Sequence, residues 1–120
     1  MTARTIVTGK RKTAGTILTT VNATEILTAV AGFEYSVFGI TVANVDPTNS
    51  CTLKLEFNDG TTDYTLVEEL NLTAKGNSTP VATTDFPIFL NGEGSIKATA
   101  QNANDLHMVV SYVETPGRNY

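Results

Sequence analysis

The chain has 120 residues, enough to bury one hydrophobic core without disulfides or metals. Hydrophobic residues make up 41% and charged residues 17%, a balance that excludes an intrinsically disordered chain. The net charge of −4 disfavours general nucleic-acid binding, and the single cysteine, Cys51, excludes an intrachain disulfide. A fold held without disulfides fits assembly in a reducing cytoplasm. No signal peptide and no apolar stretch of transmembrane length is recognisable, so neither secretion nor membrane insertion is expected.

Charge is divided unevenly along the chain, and this division sets the predicted domain organisation. Residues 1–23 contain four bases and no acid, and they show no sustained hydrophobic period. The remainder holds four bases against twelve acids, a net charge of −8. We therefore predict an extended basic arm at 1–23, a β-sandwich domain at 24–114 and a C-terminal tail at 115–120.

After the arm, short strands separated by turn residues are predicted in chain order. Alternating or continuous apolar residues bounded by turns mark these segments; they are 24–30, 34–45, 51–58, 62–69, 71–74, 86–90, 95–100 and 106–114. Asp59-Gly60 predicts a hairpin turn, and Gly39 inside its strand predicts a bulge or a close backbone approach. The expected fold is an all-β antiparallel sandwich of about eight strands, of jelly-roll or Ig-like type.

Alternation also predicts which side chains face the core. In the second of these strands, it places Phe38, Ile40 and Val42 on one face. In the strand 62–69, Tyr64 and Leu66 share one face. The remaining predicted core stripes are Leu53, Leu55 and Phe57, then Ile96, Ala98 and Ala100, and finally Leu106, Met108, Val110 and Tyr112.

No group of residues predicts catalysis, a cofactor or a metal, so the chain is interpreted as non-enzymatic. His107 alternates with core residues and is expected at the surface or in an interface. Cys51 begins a strand and is expected to be a small, buried or half-buried group. The segment 58–63 lacks the regular ligand spacing and terminal Glu of a calcium loop, so a hairpin is favoured.

Aromatic side chains leave a sugar-binding platform open as an alternative. Four tyrosines (Tyr35, Tyr64, Tyr112 and Tyr120) and five phenylalanines are available, but the chain has no Trp. Most of these aromatics occur at core positions of the predicted strands. A role in the core is therefore favoured over a glycan platform.

The basic arm carries the strongest functional expectation. Its simplest alternative is a solvated terminus without a partner. A basic arm on an acidic body favours contact with an acidic surface, either of a neighbouring subunit or of a capsid. Packaged nucleic acid is less favoured, because four bases supply only a weak, salt-sensitive term. The predicted partner-contact residues are Arg4, Lys10, Arg11 and Lys12.

Four stretches occur in a characteristic order: TEILTAVAG at 24–32, YSVFGITVAN at 35–44, FLNGEGSIKA at 89–98 and LHMVVSYVE at 106–114. In this order they resemble the small β-sandwich virion accessory proteins of tailed phages, which include capsid decoration and cement proteins. The chain departs from that group at Gly92-Glu93-Gly94, where a Gly-Asp turn is usual. Members of the group are found on capsids, tails and fibres.

The resemblance implies a virion structural protein assembled in the host cytoplasm. The favoured function is a capsid decoration or cement protein that binds the assembled shell and stabilises it. Its partners would be the major capsid protein or another virion protein, and it would form a homo-oligomer, with a trimer as one option. A tail, neck or fibre component and a glycan-binding module are the alternatives.

Overall fold

The computed structural model describes residues 9–76, 79–82 and 88–117. Within these ranges the chain forms nine strands, and no helix there is long and apolar enough to cross a membrane. The strands are β1 Lys10–Ile17, β2 Thr24–Thr28, β3 Phe33–Asn44, β4 Cys51–Asn58, β5 Asp63–Leu72, β6 Thr79–Ala82, β7 Ile88–Asn91, β8 Ser95–Ala100 and β9 Leu106–Pro116.

The strands form two antiparallel sheets. The five-stranded sheet has the order β1-β9-β3, and the short strands β6 and β7 both pair with the far edge of β3. The four-stranded sheet has the order β2-β8-β4-β5. The two sheets enclose one hydrophobic core. The predicted all-β antiparallel sandwich is therefore confirmed.

Alternation identifies the core correctly in the long, regular strands. Every second residue of β4, β8 and β9 is buried, while Phe57 and Tyr112 are partly buried at the margin. These buried residues are Cys51, Leu53, Leu55, Ile96, Ala98, Ala100, Leu106, Met108 and Val110; Ser95, at the start of β8, is buried in addition. Burying each large aliphatic side chain stabilises the fold by about 1.5–3 kcal/mol.

A β-bulge in β3 changes which side chains reach the core. The register with β9 shifts between Val37 and Gly39, which confirms the bulge predicted at Gly39. Tyr35 and Val37 are buried before the shift, and Ile40 and Val42 are buried after it. The extra residue moves the alternation by one position. The prediction that Phe38 shares a face with Ile40 and Val42 is therefore wrong.

Residues 10–18 belong to the sandwich and not to a separate arm. Strand β1 pairs with β9 over its whole length, from Lys10 opposite Glu114 to Ile17 opposite His107. Leu18, which follows β1, is fully buried. The predicted extended arm over 1–23 is thus corrected for this segment. An edge strand exposed on most of its surface shows no alternation, and its partner strand lies far away in sequence.

Three further predicted segments differ from the structure. Strand β5 is continuous where segments 62–69 and 71–74 were expected, and its register with β4 shifts twice. Part of the predicted strand 86–90 lies outside the described residues, and the rest forms β7. Strand β9 extends to Pro116, into the predicted tail, whose last residues 118–120 also lie outside the described part.

The buried side chain of Asn44 joins the two sheets. Its Nδ2 donates to the carbonyl oxygen of Asn49 and to that of Leu72, each at 3.0 Å. Its Oδ1 accepts from the backbone N–H of Asp46 at 2.9 Å. Asn44 lies on β3 of the five-stranded sheet, whereas Leu72 ends β5 of the four-stranded sheet. A buried amide with these partners fixes how one end of the sandwich closes.

Candidate interaction surface

The central part of the outward side of the five-stranded sheet is formed by side chains without formal charge. Cross-strand pairing places them in rows, such as Gly15 opposite Val109 and Val109 opposite Thr41. They alternate with the buried residues of β3 and β9. We call this surface the neutral face; its residues are Thr13, Gly15, Ile17, Ser36, Gly39, Thr41, Ala43, Phe89, Val109, Ser111 and Val113.

Three large apolar side chains of the neutral face are exposed. Phe89 is 68% exposed, Ile17 is 49% exposed and Val109 is 43% exposed. Most of the side chains between them are small. A contiguous surface of this kind costs little to desolvate, and such surfaces mark interaction sites in soluble proteins.

Charged residues border the neutral face. Arg11, on β1, and Glu34, on β3, lie at one end, with Val113 and Thr115 of β9 between their strands. His107 lies at the opposite end between Ile17 and Ala43, and it is exposed as predicted.

The outward side of the four-stranded sheet has the opposite character. Its ion pairs join Lys54 to Glu56 and Glu68, each at 3.9 Å, and Lys97 to Asp63 at 3.1 Å. Such exposed pairs contribute only about 0–1 kcal/mol each, and they describe a surface that stays in water. We call this surface the charged face; its residues are Glu25, Thr52, Lys54, Glu56, Glu68, Lys97 and Thr99.

The basic residues predicted as partner contacts separate into three groups. Lys10 and Arg11 are exposed at the beginning of β1. Lys12 is bound within its own chain, because its Nζ donates to Oε1 of Glu114 at 2.9 Å. That hydrogen bond is the main cause that raises the pKa of Lys12 and lowers the pKa of Glu114. Arg4 lies outside the described residues, and a partner role for these residues stays a prediction.

A groove of about 340 Å³ includes Ser36 and Phe89 of the neutral face. Its lining residues belong to β3, β7 and β9. The groove is lined by Glu34, Tyr35, Ser36, Phe89, Leu90, Asn91 and Thr115. It combines one exposed aromatic ring with hydroxyl, amide and carboxylate groups.

The tyrosines do not form one platform within the described residues. Tyr35 is buried and packs against Tyr112, with ring centroids 5.3 Å apart. Burial is the main cause that raises the pKa of Tyr35. Tyr64 is 51% exposed on β5, and it stacks on Phe57 at 6.1 Å. Tyr120 lies outside the described residues.

The hairpin at 58–63 uses its oxygen atoms for internal hydrogen bonds, as expected of a turn. Asp59 Oδ1 accepts from the backbone N–H groups of Thr61 and Thr62. The bonds from Thr62 and Thr61 are the main causes that lower the pKa of Asp59. Asp63 accepts from Asn58 and Lys97, which lower its pKa in that order. In the described part of the chain, no cluster of three or more potential metal-ligating side chains occurs.

No protein-family model and no curated protein matches this chain. Among solved structures, it is similar to a protein of Bacillus endospore appendages, described as a novel family of disulfide-linked pili. The identity is 12% and the TM-score 0.55, over 98% of this chain and 96% of that chain. This similarity establishes a shared fold.

The chain is also similar to a pentameric capsid protein isolated from metagenomic phage sequences. The identity is 19% and the TM-score 0.41, over 88% of this chain and 60% of that chain. This chain thus spans less than two thirds of that capsid protein. The similarity is too weak to establish a shared fold.

The disulfide linkage named for the pili has no equivalent at the surface of the chain described here. The single cysteine, Cys51, is fully buried at the start of β4, in agreement with the sequence prediction. Its thiol becomes accessible to a second chain only if the sandwich opens.

Proposed function

We propose that this chain is a non-enzymatic structural protein of a virion, specifically a capsid decoration or cement protein. The observation that carries the proposal is the difference between the two outer surfaces of the sandwich. An accessory subunit needs one side that can be covered by a partner and one that stays in water. The neutral face fits the first requirement and the charged face fits the second.

The proposed mechanism is stabilisation by mass action. A subunit that binds the assembled shell, and not the dissociated shell protein, shifts the equilibrium towards the shell. The N-terminal basic residues would contact an acidic surface of the major capsid protein or another virion protein. Of the predicted contacts, Lys10 and Arg11 are exposed for this role, whereas Lys12 already binds Glu114.

Binding to shells tests the proposal directly. Purified shells are sedimented with wild-type protein, with Lys10→Glu and with Lys75→Glu, which makes the same charge change at an exposed turn position. The wild type and Lys75→Glu are expected to sediment with the shell and raise its disruption temperature. Lys10→Glu is expected to bind at least several-fold more weakly. Absence of the wild type from the shell surface would overturn the proposal.

The two alternatives predict different observations. A tail, neck or fibre component would be imaged at the tail or vertex of the virion and not across the shell. The glycan alternative is favoured by the groove, where the exposed ring of Phe89 lies beside Asn91 and Glu34. Specific binding on a glycan array, lost in Phe89→Ala, would support that alternative.

A further inference from the structure

We propose that the neutral face is a self-association surface, on which two copies of this chain pack their five-stranded sheets against each other. A two-fold axis running along the strands would relate the copies. The inference deepens the homo-oligomer part of the proposed function, but it does not depend on a location in a virion.

Charge favours a second copy at this surface. The chain carries twelve acids against eight bases, a net charge of −4, so two copies repel each other in most orientations. The repulsion is smallest where neither copy presents a carboxylate. The neutral face meets that condition, whereas the charged face presents Glu25, Glu56 and Glu68.

The charged border makes the neutral face self-complementary. Arg11 lies on β1 and Glu34 lies on β3, on opposite sides of β9 and close to the same end of the sheet. A two-fold axis along the strands, between β9 and β3, places β9 of one copy over β3 of the other and β1 over β7. Arg11 of each copy would then lie near Glu34 of the other, which gives two symmetric ion pairs at the edge of a neutral contact.

The size of the face is sufficient for a weak dimer. Four strands about 4.8 Å apart, over about eight residues of about 3.4 Å each, cover about 500 Å² per copy. Two copies would bury about 1,000 Å², the lower limit for a specific interface. Small side chains allow close approach of two sheets, and Ile17, Val109 and Phe89 supply the apolar contacts. The dimer is therefore expected to be reversible and dependent on concentration.

Sedimentation equilibrium on the full chain tests the surface. The wild type is expected to rise from 12.8 kDa towards twice that mass as its concentration increases. Val109→Lys, at the centre of the neutral face, should weaken dimerisation at least tenfold, because the ammonium group is desolvated and repelled by its symmetry mate. Thr99→Lys, on the charged face, is the matched control and should leave dimerisation unchanged. Thermal melting of both variants checks that the fold is retained.

Charge exchange tests the two-fold geometry. Arg11→Glu and Glu34→Arg are each expected to weaken dimerisation several-fold, and the double variant should restore it towards the wild-type value. Restoration cannot result from a loss of folding. A wild type that stays monomeric at millimolar concentration, a trimeric mass, or equal effects of Val109→Lys and Thr99→Lys would overturn the inference.

The shell-binding assay separates this inference from the proposed function. A monomeric protein whose shell binding is lost in Val109→Lys would show that the shell occupies the neutral face, which overturns the inference and supports the proposed function. A dimer that does not bind shells would uphold the inference and contradict the proposed function.

Discussion

The neutral face and the charged face are built by the same strand geometry, yet they differ in every property that concerns a partner. On both, inward residues alternate with outward ones, and most of the buried residues are apolar. The outward residues of the four-stranded sheet are charged and paired, as expected for a sheet face in water. Those of the five-stranded sheet include exposed Ile17, Val109 and Phe89. The hydrophobic core restricts only the inward positions. The residue types at the outward positions therefore indicate whether each surface contacts a partner or water.

The neutral face and the charged face belong to one sandwich whose two sheets are joined by the side chain of Asn44. Substitution of Asn44 should have the largest effect on stability. Asn44→Ala removes the donor for the carbonyl of Leu72 and the acceptor for the N–H of Asp46. We expect the free energy of unfolding to fall by about 2–3 kcal/mol, because buried polar groups lose their partners. Chemical denaturation measures it. Asn71→Ala, at an exposed position of β5, should change it by less than about 0.5 kcal/mol; equal effects would contradict the role of Asn44.

Two glycine positions should differ in how strongly each requires glycine, one on the neutral face and one in a turn of the other sheet. Gly60 has a φ of 108°, and an added Cβ would lie 2.9 Å from the side chain of Glu93, so Gly60→Ala should destabilise by about 1–2 kcal/mol. At Gly39 an added Cβ would meet only Cβ of Ser111, at 3.7 Å. Gly39→Ala should be neutral or stabilise by about 0.5 kcal/mol. Thermal denaturation compares them, and the reverse order would show that the bulge requires glycine.

Two aspartates in turns of the two sheets are expected to respond to pH with opposite signs. Backbone hydrogen bonds lower the pKa of Asp59, so its stabilising effect is present above its ordinary value of 3.8 and is lost as the pH falls through the lowered pKa. Burial and the nearby Asp46 raise the pKa of Asp105, so its ionised form destabilises the fold at neutral pH. Asp59→Asn should therefore lower Tm at pH 7, and Asp105→Asn should raise it.

Melting curves across pH check both signs. The increase in Tm caused by Asp105→Asn should disappear as the pH falls through the raised pKa to the ordinary value of 3.8. The loss from Asp59→Asn should shrink as the pH falls below 3.8. Tm shifts of the same sign for both variants at pH 7 would contradict the opposite pKa shifts assigned to Asp59 and Asp105.

The ion pairs of the charged face should have the smallest effect. Lys54→Met removes both pairs of Lys54 with carboxylates at 3.9 Å. We expect the free energy of unfolding to change by less than about 0.5 kcal/mol, and the change should vanish at high salt. Urea denaturation at two salt concentrations measures it. A loss above about 2 kcal/mol would mean that this face is a structural network and not a solvated surface.

The sequence predicts those features that depend on local alternation. Core positions of β4, β8 and β9 follow from a period of two, and the bulge follows from Gly39 inside a strand. The change of face after the bulge could not be predicted from the sequence. The apolar residues are the same with or without a bulge, and only the direction of each side chain changes. Strand β1 was missed because its pairing with β9 is not local in sequence and because most of its own residues are exposed.

The interaction surface was only partly predictable, for a topological reason. Alternation predicts that Val109 and Thr41 do not share the face of the core residues in their strands. It leaves Thr13 unassigned, because no strand was predicted there. It cannot show that they lie side by side, since that requires the order β1-β9-β3. The basic residues were visible as a charge cluster, but the hydrogen bond between Lys12 and Glu114 depends on the same pairing.

Hydroxyl-radical footprinting tests most directly whether the neutral face is the covered one. Phe89 and Tyr64 are matched probes, because both are aromatic and exposed but lie on different sheets. Oxidation is compared between dilute and concentrated protein. Oxidation of Phe89 is expected to fall several-fold at high concentration, while oxidation of Tyr64 stays unchanged. Protection of Tyr64 with an unprotected Phe89 would contradict this expectation.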